Sequence, residues 1–150
     1  MGLDLRMKGD TIPDQHHIAR YCRPKQVPYG QIQATAFMLR KDEGSLSVNW
    51  LEFLKCSSRK IEIDELRSTY FRKFKVGAGA KIAILNISEV REKVLTESPD
   101  RRNLKVLHDP QYGTVNDPSH SGIYNLRHDD EIIIAELILE TVQETYPARK

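Results

Sequence analysis

Two histidines and two aspartates crowd one short stretch of the chain, as His108-Asp109-Pro110 and then Asp117-Pro118-Ser119-His120-Ser121-Gly122. An imidazole titrates near neutral pH, so it can serve as a general acid or base, or bind a metal through its neutral nitrogen. His108, Asp109 and His120 are therefore the candidate catalytic groups. His108, Asp117 and His120 form a candidate ligand set for a divalent metal, with an open position left for water. A blander reading makes Asp109-Pro110 and Asp117-Pro118 turn starters and the histidines partners of loop backbone.

Two further clusters carry polar chemistry. His16 and His17 stand close to Arg20, Tyr21, Cys22 and Arg23, and Arg20 is a candidate holder of an anion. On a helix His16 and Arg20 share a face while His17 points about 100° away. The middle of the chain is basic, with Arg59, Lys60, Arg67, Arg72, Lys73 and Lys75 around Tyr70 and Phe71. Arg67, Lys73 and Lys75 are the candidate binding residues there, because Lys and Arg along a groove give phosphates a sequence-independent affinity. Glu62, Asp64 and Glu65 dilute that face, which equally suits a solvated helix.

Known signatures are not met. Two-histidine phosphodiesterases repeat His-x-Thr/Ser, whereas Asp-Pro follows His108 and Ser-Gly follows His120. Cys22 precedes both histidines, an order that a Cys-His hydrolase permits, yet no family signature flanks it. Gly77-Ala78-Gly79 lacks the third glycine and the strand-then-helix setting of a dinucleotide fingerprint, and there is no phosphate-binding P-loop.

The elements that must position these groups follow from periodicity. Residues 1–14 have no sustained period and suggest a loosely ordered start. Residues 15–22 can form a short helix that ends before Pro24. Alternation over 31–39, a turn at 41–44 and a second strand over 45–48 predict a β-hairpin, with Asn49 capping a short helix that contains Trp50. Ile63, Leu66, Tyr70 and Phe74 recur at helical spacing and predict an amphipathic helix over 61–75. The apolar run 81–87 suits a central strand, Ser88 would cap a helix to about residue 95, and 104–108 reads as another strand. A connection over 109–128 then has little periodicity beyond a short strand over 122–126, and such long connections are usually functional or mobile. A helix over 129–145 closes the chain, stopped by Pro147.

Together these elements predict a single α+β domain, a small mixed sheet packed against the helices at 61–75 and 129–145. The chain has 150 residues, enough for one core, with 39% hydrophobic and 29% charged residues. Twenty-three Lys and Arg against 21 Asp and Glu leave a net charge of +2, far from the excess of a dedicated nucleic-acid binder. Cys22 and Cys56 are too few for a disulfide framework and suggest reduced thiols. No apolar run approaches a membrane span, and the first residues lack a signal peptide, so a cytoplasmic location is expected. Two functions fit. One is an accessory protein that contacts a protein or nucleic acid through the basic helix or the 109–128 loop. The other is a His/Asp-based hydrolase of phosphate esters or nucleotides, with a divalent metal as a possible cofactor and Arg20 holding the anion.

Overall fold

The computed structural model describes residues 9–150. Its centre is a six-stranded sheet built from β1 (His17–Cys22), β2 (Leu46–Trp50), β3 (Lys81–Asn86), β4 (Lys105–His108), β5 (His120–Tyr124) and β6 (Glu144–Pro147), in the order β4-β5-β2-β1-β3-β6. Every neighbouring pair is antiparallel, so the expected mixed sheet is uniform in direction. The predicted α+β class holds.

Strand alternation sends successive side chains to opposite faces and creates two cores. Ile18 and Cys22 of β1, Leu46 and Val48 of β2, and Ala83 and Leu85 of β3 face one side. There they meet α2 (Ile87–Glu97) through Val90 and Val94 and α3 (Ile132–Leu139) through Ile134 and Ile138. Ala19, Ile82 and Ile84 face the other side, under Ile63, Leu66 and Tyr70 of α1 (Arg59–Lys73). The amphipathic stripe expected over 61–75 is thus the buried face of α1. Its first turn is capped by Ser58 Oγ, which accepts from Ile61 N at 3.3 Å. Because α1 lies over β1 and β3, it leaves β2 and β5 open on this face.

Several expectations give way to tertiary context. Residues 17–22 form a strand, not a helix, because β1 lies between β2 and β3 and is buried on both faces; a short apolar run has no diagnostic period. Of the predicted hairpin, only the second strand exists. Residues 31–39 hold a 3₁₀ turn, Ala34–Phe37, whose Ala36 and Phe37 are both buried, and β2 pairs instead with β1 and β5. Asn49 and Trp50 belong to β2, so Asn49 caps nothing. Asn86, not Ser88, caps α2, accepting from Glu89 N at 3.0 Å. The last predicted helix is shorter, and 144–147 leaves it to pair with β3 as an edge strand. Thr141 and Val142 interrupt the helix there, and Pro147 sits at the sheet edge where a missing N–H is tolerated.

The 109–128 connection is mostly structured. Gln111 and Asp117 bridge each other through two backbone hydrogen bonds, and β5 begins at His120, two residues earlier than expected. At the other end of the chain, residues 9–14 are anchored: Thr11 bridges Leu107, and Ile12 is buried. The first eight residues of the predicted loose start lie outside the described residues. No helix among the described residues is long and apolar enough to cross a membrane.

Candidate functional site

β1 and β2 pair at Ile18–Trp50 and Ala19–Asn49, with Leu51 N donating to His17 O at 3.0 Å on one side; beyond Ala19–Asn49 the strands part. The gap exposes strand carbonyls that a ladder would have satisfied, and Arg20 fills it. Its Nε donates to Ala36 O and its Nη1 to Ser47 O, both at 2.9 Å. Arg20 is only 7% exposed, yet it forms no ion pair among the described residues, and burial lowers its pKa.

A cavity of about 690 Å³ opens where the strands separate, and Arg20 borders it. The C-terminal end of α1 and the residues after it supply one wall through Tyr70, Lys73, Phe74 and Lys75. Arg23, Lys25 and Gln26 form a second wall, and Arg40 and Glu43 a third. Ser47 and Asn49 of β2 and His120 of β5 make the floor. The second wall is locked to the first at Gly77, where an added Cβ would lie 2.6 Å from Pro24 Cγ. Six cationic residues line this space against one acid, Glu43. Arg23, Lys25 and Lys75 form no ion pairs among the described residues, so the space carries a strong positive potential.

A buried network holds the floor. Asn49 Nδ2 donates to Asp117 Oδ1 at 2.8 Å and to Ser119 Oγ at 2.9 Å, while Tyr70 OH donates to Asn49 Oδ1 at 2.9 Å. Lys73 Nζ donates to Asp117 Oδ2 and Gln111 Oε1, each at 2.8 Å. The Asp117 side chain is 2% exposed, and both its oxygens are committed to these partners. Burial and the Asp117 carboxylate push the Tyr70 hydroxyl pKa far above its ordinary value. Asn49 and Tyr70 escape a reading by sequence. The one available signal was an asparagine inside a strand, a residue type depleted there because its amide needs partners.

The two histidines do not converge. His108 pairs with Ser121 across β4 and β5, so the neighbouring His120 points to the opposite face. His108 is buried against Trp50 and Phe53, at ring distances of 5.2 and 4.8 Å, and its Nε2 donates to Pro118 O at 2.7 Å. It does not border the cavity. His120 does, and its Nδ1 donates to Asp109 O at 2.8 Å, fixing the neutral tautomer with the lone pair on Nε2. The Asp109 carboxylate lies farther off, with Oδ2 at 4.0 Å from that nitrogen. Burial, with help from nearby Lys73, lowers the His120 pKa.

The candidate residues thus divide. Arg20, His120, Lys73 and Lys75 border one cavity, Asp117 braces it from behind, and Asp109 orients His120 through a carbonyl. Arg67 is elsewhere, donating to Pro147 O and paired with Asp64. His16 accepts from Trp50 Nε1 at 3.0 Å, and His17 pairs with Glu52 at 2.7 Å, so neither joins the cavity. Among the described residues no group of three or more His, Cys, Asp or Glu is placed to hold a metal ion, and the His108, Asp117 and His120 set is divided between the two sheet faces. Comparison with known proteins finds no matching family model, no matching curated protein and no matching solved structure.

Proposed function

We propose that this protein binds a phosphorylated small molecule in the cavity beside the parted strands β1 and β2. One observation carries the reading: Arg20 is buried without a carboxylate partner, and its remaining nitrogen, Nη2, makes no hydrogen bond among the described residues although the side chain borders the cavity. A buried cation without a counter-charge is costly, and an anion in the cavity would supply that charge. A planar guanidinium suits phosphate, and charge-assisted bonds of this kind are roughly twice as strong as neutral ones. The cavity volume falls within the usual range for small-molecule sites, roughly 300–1,000 Å³.

An accessory role through the basic helix has less support. Among the described residues Arg59 is paired with Glu62 and Glu144, Lys60 and Arg67 with Asp64, and Lys73 with Asp117, which leaves Lys75 and Arg72, bonded only to the neutral Ser68 hydroxyl, as the helix region's cations without a counter-charge. Paired charges present little net field to a nucleic acid or an acidic protein.

Isothermal titration with inorganic pyrophosphate tests the proposal. Binding should weaken steeply with added salt. Arg40→Gln and Lys75→Gln, at the rim, should each cost a few-fold in affinity, and Arg20→Gln roughly tenfold or more, the loss of one charge-assisted hydrogen bond. No heat of binding at millimolar pyrophosphate, or an affinity indifferent to all three substitutions, would refute it.

A further inference from the structure

Besides Tyr70, whose hydroxyl is spent on Asn49, four polar side chains are both buried and on the cavity boundary: Arg20, Gln26, Asn49 and His120. Two of them are spent on the protein. Gln26 accepts from Arg23 N and donates to Thr35 O, and both ends of Asn49 are committed to Asp117, Ser119 and Tyr70. The other two each keep one end unspent. Arg20 keeps a donor, Nη2. His120 keeps an acceptor, because Nδ1 is used on Asp109 O and Nε2 makes no hydrogen bond among the described residues. A cationic donor and a basic nitrogen therefore border the same space, both on rigid strands.

We infer that this cavity hydrolyses phosphate esters, with His120 Nε2 as the general base that takes a proton from the attacking water. The inference rests on the proposed binding of a phosphorylated molecule there. In the reaction, the water oxygen forms a bond to phosphorus while its proton passes to Nε2. The bond from phosphorus to the ester oxygen breaks, and the electron pair leaves on that oxygen. The departing oxygen takes a proton from solvent and His120 gives its proton up to solvent, so one ester and one water give one alcohol and one phosphate. Arg20 and Lys73 offset the charge that gathers on the phosphoryl oxygens, the stabilisation that dominates phosphoryl transfer. Two of the three Lys73 hydrogens are held by Asp117 and Gln111, which aims the ammonium and leaves one hydrogen for a ligand. Burial supplies a supporting condition: it keeps the His120 ring neutral at physiological pH, the form that can accept a proton.

The probes are bis(4-nitrophenyl) phosphate and 4-nitrophenyl phosphate, followed by release of nitrophenolate, with pyrophosphate affinity measured on the same preparations. His120→Asn is the informative variant. Its amide can still donate to Asp109 O from about the position of Nδ1, but nothing stands at Nε2. Turnover of at least one ester should fall by about 10²–10⁴-fold, the usual contribution of a general base, while pyrophosphate affinity changes by no more than about threefold. The wild-type kcat/KM should rise with pH through an ionisation below the ordinary histidine range and then level off. His120→Gln, which places an amide nearer the Nε2 position, gives a second folded form of the same deletion. Equal turnover in wild type and both variants, or no turnover of either ester by protein that binds pyrophosphate, would overturn the hydrolytic inference and leave a binding protein. Failure of the wild type to bind pyrophosphate would instead overturn the reading on which it rests.

Discussion

Replacing Asp117 with Asn changes one atom in the network behind the cavity and has opposite effects on stability and on ligand. The wild-type carboxylate accepts from Asn49 Nδ2 on one oxygen and from Lys73 Nζ on the other. An asparagine must turn its amide nitrogen toward one of those two donors, so one donor–donor contact is unavoidable. Losing a charge-assisted hydrogen bond costs about 1.5–3 kcal/mol, and a buried donor left unsatisfied about 1–3 more. Lys73 is 22% exposed on its side chain and can swing into the cavity to regain water, so the lower part of the combined range applies, about 2.5–4 kcal/mol. For a chain of this length that corresponds to a Tm lower by roughly 5–16 °C. Urea unfolding followed by Trp50, the only tryptophan, measures it directly. The freed Lys73 adds an uncompensated cation to the cavity, so pyrophosphate should bind several-fold tighter to the less stable protein. A double-mutant cycle with Lys73→Met isolates the pair, and its coupling should exceed about 1 kcal/mol. A loss of stability under about 1 kcal/mol, a coupling near zero, or weaker pyrophosphate binding in Asp117→Asn would each refute this account.

The lowered His120 pKa sets a pH dependence. The unfolded chain takes up a proton as pH falls through about 6.5, before the folded protein does, so His120 stabilises fully above that value and its contribution is lost on acidification through its lower folded pKa. The difference in urea midpoint between about pH 7.5 and about pH 5.5 should therefore shrink in His120→Gln. The Cys22 thiol is fully buried and pushed up to about 11, whereas Cys56 is partly exposed; a thiol reagent at mildly alkaline pH should titrate one cysteine per native chain and two after unfolding. Gly77→Ala drives a Cβ against the Pro24 ring and should cost about 1–3 kcal/mol by differential scanning calorimetry, with pyrophosphate binding weakened because the wall carrying Arg23 and Lys25 must shift.

What the sequence made legible was local. The stripe Ile63, Leu66 and Tyr70 marks the buried face of α1, and the unbroken run Ile82 to Leu85 belongs to a strand covered on both sides, because both patterns are set by neighbours a few positions away. β1 is not legible there for the converse reason: Ile18, Ala19, Arg20 and Cys22 are all buried only because strands arriving from residues 46–50 and 81–86 flank them. The site follows the same division. Arg20 and His120 stand out by residue type alone, but the sheet face that separates His120 from His108 depends on strand register. The partners that commit Asp117 are 68 and 44 residues away in the chain. No periodicity reports contacts of that span.

The parting of β1 from β2 has a mechanical consequence. It divides the sheet into two three-stranded halves, β4-β5-β2 and β1-β3-β6, whose two residue pairs are flanked by the bonds of His17 to Leu51 and Glu52 at one end and by the Arg20 guanidinium at the other. This seam is the line along which the sheet has least resistance to shear, and the cavity lies directly on it. A ligand held by Arg20 on one half and seated on the floor that β2 and β5 supply on the other would act as a rivet across the seam. Occupancy should then be felt as stiffness along the whole sheet, in slower amide exchange at Ser47 and Val48 and in strands that no ligand atom touches.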